Sequence, residues 1–248
     1  MSKYLWFIRH GESEGNLEGR IQGWDDYPLT NRGRRQAARL AERLAEEESI
    51  QEIVTSPLAR AAVTAEIIGA VLGLPVRYDE RLKEYNFGPV SGLTREEIKT
   101  RYPAVWTAWQ LNEFWEALPG EEGERAFKAR VRAGMDDIIN NMAEGSAIAV
   151  VMHGGAMNTC VRAWLGIEER GWRTFAFDNA SVNLVQLQAK VPPTFNEDDE
   201  REMFQMLGFQ NTEGVEYNYR MLLLNDVSHL AGLMGAKPAW FSAQRSGH

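Results

Sequence analysis

Residues 3–16 read KYLWFIRHGESEGN. The unbroken apolar run at residues 4–8 is the pattern of a strand buried on both faces. It runs straight into Arg9 and His10 and then into a glycine-punctuated turn. A fully buried strand requires a sheet covered by helices, so the remaining chain has to supply further strands and their helical crossovers.

It does so in alternation. Short strands are expected at residues 52–55, 76–78 and 148–152. A helix is expected over 30–46, with Thr30 as N-cap and Ala37, Leu40, Ala41 and Leu44 at helical spacing. A second, opened by Pro57, spans 58–72 and is stopped by Gly73. Further helices are expected at 95–101, 103–115, 122–142 and 156–165. Two last strands, 181–187 and 217–224, are joined by an excursion at 189–216 with a Pro-Pro pair, an acidic run and a short Met/Phe/Leu helix. Such alternation predicts an α/β fold, a three-layer α/β/α sandwich with a mostly parallel central sheet. No linker or repeat divides the chain, so residues 1–248 are expected to form one domain carrying the 189–216 insertion.

Of the 248 residues, 44% are hydrophobic and 25% charged, which suits a soluble globular protein with a sizeable core. The net charge of −8 argues against a nucleic-acid partner, because phosphate backbones are held by clustered Lys and Arg. Cys160 is the only cysteine, which excludes an intramolecular disulfide and fits a reducing compartment. The apolar run near Met1 is too short for a signal-peptide core, and no stretch approaches membrane-spanning length. A soluble cytoplasmic protein is expected, with no membrane partner; a homodimer is left open.

Ligands of open parallel sheets bind beyond the carboxyl ends of the strands. Arg9 and His10 follow the first strand, His153 follows IAVVM, Arg60 lies just past EIVT, and Glu84 lies in the turn after 76–78. If those strands are parallel, all five residues share one rim. Arginines offer planar forks for phosphate oxygens. The glycines after each histidine, Gly154 among them, let backbone N–H groups approach an anion. A neutral imidazole among cations can attack phosphorus, a second histidine can stabilise the equatorial oxygens, and a carboxylic acid can protonate the departing alkoxide. That set suffices for phosphoryl transfer without a metal or cofactor. No paired-ligand spacing such as His-Glu-x-x-His occurs, and two arginines would repel a divalent cation.

RHGESEGN resembles a motif of the histidine phosphatase superfamily, also called the phosphoglycerate mutase-like family. The resemblance continues through PLTNRGRRQA (28–37), TSPLARAAVTAEII (55–68), LKEYNFGPVSGLT (82–94), VMHGGAMN (151–158), NASVNL (179–184) and LLNDVSHL (223–230). It implies that His10 is the phosphorylated nucleophile and Glu84 the proton donor. Arg9, Asn16, Arg60 and His153 would line the phosphate pocket, and Gln22 would contact phosphate or substrate. Glu12 and His229 read as structural, and Cys160 as core packing.

The family contains phosphatases and mutases. A mutase needs extra basic residues after the glutamate to grip a phosphoglycerate, yet no Lys or Arg occurs between Arg101 and Arg125. In their place stand Trp106, Trp109, Phe114 and Trp115 among acidic residues, whose rings either pack on the core or overhang the pocket. The expectation is therefore a phosphomonoester hydrolase acting on a small-molecule phosphate through a phosphohistidine. The alternatives are a cofactor-dependent phosphoglycerate mutase, with cations from Lys83 or Lys99, and an inactive phosphate-binding or scaffolding module.

Overall fold

The first strand, β1 (Lys3–Arg9), is buried on both faces because alternate side chains feed two separate cores. Leu5 and Phe7 enter one, Trp6 and Ile8 the other. The computed structural model describes residues 2–47, 50–111, 118–167, 174–189 and 217–233. Within them the further strands are β2 (Ile50–Thr55), β3 (Val76–Tyr78), β4 (Ala147–Met152), β5 (Val182–Ala189) and β6 (Tyr217–Asp226). The helices are α1 (Glu14–Leu17), α2 (Asn31–Ala45), α3 (Ala59–Leu72), α4 (Arg95–Arg101), α5 (Pro103–Leu111), α6 (Glu124–Asn141) and α7 (Gly154–Trp164).

The strands form one sheet in the order β3-β2-β4-β1-β5-β6. Its β3, β2, β4 and β1 are mutually parallel, so the four strands that carry the expected site residues do end at one rim. The sheet is mixed, since β5 runs antiparallel to β1 and β6 antiparallel to β5. On one face α2 and α3 cover Trp6, Ile8, Ala147, Ala149 and Val151. On the other α6, α7 and the 82–98 segment cover Leu5, Phe7, Ile148, Val150 and Met152. No helix among the described residues is long and apolar enough to cross a membrane.

Several boundaries differ from expectation for local reasons. Arg9 belongs to β1 rather than following it, because it pairs with Met152 and its N–H donates to the Ser181 carbonyl. α3 starts at Ala59 with Leu58 as N-cap, so Pro57 precedes the helix instead of opening it. α7 begins at Gly154, ahead of the apolar periodicity that starts at Ala156. The expected 189–216 insertion, beyond Ala189, falls outside the described residues, as do residues 112–115 of the helix expected at 103–115.

The first turn of α2 supports the loop after β1. Thr30 caps the helix by accepting the Gly33 N–H, while its own N–H donates to the Glu12 carbonyl. A Cβ on Gly33 would lie 2.0 Å from the Glu12 carbonyl oxygen, and one on Gly11 would lie 2.6 Å from the Gly33 carbonyl oxygen. Glu12 pairs with Arg32 at 3.0 Å and accepts from the Thr30 hydroxyl, the structural role expected of it. Glycine to alanine in an open helix stabilises by about 1 kcal/mol. Here Gly33→Ala is expected to lower the urea midpoint instead, and a raised midpoint would refute this packing.

Candidate active site

His10, 3% exposed, leaves β1 with its backbone N–H donated to Met152 and its carbonyl accepting from Ala180 N–H and Asn179 Nδ2. Its Nδ1 lies 2.7 Å from the Gly11 carbonyl. A carbonyl only accepts, so Nδ1 carries the ring proton and Nε2 keeps a lone pair. His153 leaves β4 in the same way, and the two ring centroids are 5.2 Å apart. Its Nε2 is 2.8 Å from the Ser56 hydroxyl, which also accepts the Leu58 N–H. His153 Nδ1 is buried with no partner.

The two arginines are held by backbone dipoles. Arg60, 1% exposed on the first turn of α3, donates through Nη2 to Gly23 O (2.8 Å) and through Nη1 to Asp25 O (3.0 Å). Arg9 donates through Nη1 to the Phe177 carbonyl. Both Nε atoms are buried without a partner. Burial lowers Arg60 to about 10, still a cation at neutral pH, and lowers Arg9 as well. Burial, then the charges of Arg60 and Arg9, hold His10 well below the ordinary 6.5. His153 is held well below it by burial, Arg60, His10, Arg9 and Arg130.

Glu84 reaches the same centre from the loop after a short 3₁₀ turn at Glu80–Leu82. Its Oε2 accepts from Gly155 N–H (2.8 Å) at the start of α7, and its Oε1 from Tyr85 N–H (2.9 Å). A Cβ on Gly155 would lie 2.4 Å from Glu84 Oε1, so only glycine leaves the carboxylate its place. Gly154 sits beside Arg9, where a Cβ would lie 3.8 Å from Nε. The backbone of the Glu84 loop is clasped by Arg130 of α6, which donates to the carbonyls of Arg81, Lys83 and Glu84 and pairs with Glu122.

Asn16 and Gln22 are tied in through Ser13. Ser13 caps α1, accepts the Asn16 N–H and donates its hydroxyl to Gln22 Oε1 at 2.7 Å. Asn16 Oδ1 accepts from Ser13 N–H (3.2 Å) and from Asn179 Nδ2 (3.0 Å). These contacts engage the carbonyl end of each amide and leave its NH₂ hydrogens outside them.

The structure therefore brings His10, His153, Arg9, Arg60 and Glu84 together, with Gly154 at Arg9 and Asn16 and Gln22 joined through Ser13 and Asn179. The sequence reading missed Ser56, Asn179, Ser13 and Arg130. Ser56 and Asn179 stand within motifs already singled out, TSPLAR and NASVNL, and Ser13 with Asn16 makes a capping-box spacing. Arg130 on α6 gave no signal beyond its charge. Trp106 and Trp109 pack against the core, with Trp109 edge-on to Phe87 at 5.7 Å, and Phe114 and Trp115 lie outside the described residues. His229 Nε2 donates to the Ala180 carbonyl, and Cys160 is buried with its thiol pushed up by burial; both are structural. Among the described residues no group of three or more His, Cys, Asp or Glu is placed to hold a metal ion.

A buried pair of histidines amid guanidinium groups, at the rim of an α/β sheet, has the charge and donor set that suits an anion. The chain belongs to the histidine phosphatase superfamily (branch 1), whose family model matches residues 5–194. A relative from Salmonella choleraesuis, the probable phosphoglycerate mutase GpmB, is 33% identical over 190 residues, covering 74% of this chain and 85% of that protein. Among solved structures, Bacillus stearothermophilus YhfR superposes with a TM-score of 0.73 at 27% identity, covering 92% of this chain and 99% of that one. A mycobacterial glucosyl-3-phosphoglycerate phosphatase, solved with VO3, gives 0.70 at 28% identity, covering 90% and 98%.

Both histidines stay neutral in the fold at a pH where the unfolded chain binds protons. Stability is therefore expected to fall as pH drops below 6.5, by about 1.4 kcal/mol per pH unit for each ring. Imidazole NMR resonances should show both rings unprotonated at pH 6.5. Removing a guanidinium in Arg60→Met should move the His10 titration upward, and an unmoved titration would count against this electrostatic account.

Proposed function

We propose that this chain is a metal-independent phosphomonoesterase acting on a small-molecule phosphate ester through a phosphohistidine at His10. The observation that carries the reading is the cluster of Arg9 Nε, Arg60 Nε and His153 Nδ1, buried without partners around an imidazole whose Nε2 lone pair is unused. Buried donors are ordinarily paired, so a set of this kind calls for an anion with several acceptor oxygens.

The His10 Nε2 lone pair forms the N–P bond as the ester P–O bond breaks. The departing alkoxide takes a proton from Glu84, and the alcohol leaves. Arg9, Arg60, the amides of Asn16 and Gln22, and a His153 Nδ1–H stabilise the equatorial oxygens. The Ser56 hydroxyl supports that tautomer by donating to His153 Nε2. Water then attacks phosphorus as the Glu84 carboxylate takes its proton, the N–P bond breaks, and inorganic phosphate leaves. Positive charge comes from the guanidinium groups, so no step requires a metal.

The GpmB relatives raise a second reading, a mutase. A mutase must also hold the carboxylate of its phosphoglycerate. Lys83, one candidate cation, is already paired with Glu80, and Lys99 on α4 is exposed. This supports hydrolysis over transfer, and a cytoplasmic location fits a small-molecule substrate.

A phosphorylated species stable to alkali and labile to acid should accumulate on rapid quenching of the wild type and be absent in His10→Ala, with turnover surviving a chelator. No trapped phosphate in the wild type would overturn the mechanism. In Gly155→Ala the new Cβ displaces the Glu84 carboxylate. The variant is expected to lose about 10²-fold in kcat on an alkyl phosphate. It should lose far less on a nitrophenyl phosphate, whose leaving group needs little protonation.

A further inference from the structure

The ring attached to the proton donor is Trp24. Its Nε1–H donates to the Glu84 carbonyl at 2.7 Å. The residues on either side of it, Gly23 and Asp25, supply the two carbonyls that hold Arg60. Gly23 is wedged against the other side of the acid loop, where a Cβ would lie 2.7 Å from Ser91 Oγ and 3.1 Å from the Tyr85 carbonyl. Trp24 therefore joins the backbone that holds Arg60 to the loop that carries Glu84.

The ring is fixed as well as near. The Lys83 ammonium lies 4.8 Å from its centroid and the Arg130 guanidinium 5.8 Å. Yet 40% of Trp24 remains exposed. A scattered surface aromatic is ordinary. An indole bonded through its polar atom to the Glu84 loop, approached by two cations and still part open is a preorganised platform. Both cations beside it are already engaged, Lys83 by Glu80 and Arg130 by Glu122.

Resting on the phosphatase reading, we propose that Trp24 is the leaving-group subsite and that it selects phosphate esters of alcohols bearing an aromatic or other flat apolar ring. The hydrogen bond to the Glu84 carbonyl holds the platform at a fixed place relative to the proton donor, so stacking also aligns the ester oxygen with the acid.

The test compares 2-phenylethyl phosphate with propyl phosphate, two alkyl esters with leaving groups of similar acidity. The wild type is expected to favour the phenyl ester in kcat/KM by about tenfold, mainly through KM. Trp24→Ala should abolish that ratio, whereas Trp24→Phe, which keeps a ring but not the Nε1–H, should retain most of it. A ratio unchanged in Trp24→Ala overturns the subsite. So does an equal loss on both esters in both variants, which would reduce Trp24 to a prop for Glu84. Hydrolysis of neither ester by the wild type overturns the phosphatase reading, and the subsite with it.

Discussion

Arg60 is a buried cation and Arg9 a half-buried one, and their terminal nitrogens are held by main-chain carbonyls of Phe177, Gly23 and Asp25. Among the described residues neither forms an ion pair. Carboxylate partners would have neutralised them; peptide dipoles orient them and offset part of the desolvation while leaving the net charge in place. Burial first, and then the charge of these guanidinium groups, depresses both histidines and keeps the His10 lone pair available. Unpaired N–H groups give the pocket its demand for an anion. Glu84, whose charge acts on both guanidinium groups, accepts from two backbone amides rather than from either arginine.

Holding charges this way transfers the burden to backbone placement, and the loops show it. Gly11 against Gly33, Gly23 against Ser91 and Gly155 against Glu84 are approaches that no side chain would permit. Thr64 on α3 accepts the Gly11 N–H and donates to the Arg60 carbonyl, linking the nucleophile loop to the helix that carries the arginine. Arg130 performs a similar service for the acid loop from the opposite face of the sheet. The two cores flanking β1 thus deliver nucleophile and acid separately, and the rim of the sheet is where they meet.

Much of this was legible in the chain. Apolar runs ending in Arg-His and in His-Gly mark strand ends, and parallel strands put such ends on one rim, so the five principal residues could be placed without coordinates. What stayed hidden was set by tertiary context. The direction of β5 leaves no trace in residues 181–187, because antiparallel pairing with β1 is decided by where the chain returns. Ser56 and Asn179 are small polar residues of the kind that usually serve their own turns, and only contacts across some 100 and 170 residues, to His153 and His10, give them a part here. Aromatic density drew attention to 102–118, but Trp106 and Trp109 are committed to packing. Trp24, surrounded in sequence by glycine and aspartates, is, among the described residues, a partly exposed ring bonded to the Glu84 loop.

The position of β1 has a consequence for biosynthesis. It precedes both of its neighbours in the sheet by well over a hundred residues, with Tyr4 pairing to Ala147 and to Gln186. The Arg9 guanidinium waits on Phe177, and the His10 carbonyl on Asn179 and Ala180. A nascent chain therefore carries this apolar strand unpaired until β4 and β5 have followed it. The site lacks these supports until residues 177–189 have been added, so an arrested product without β5 is expected to be prone to aggregate.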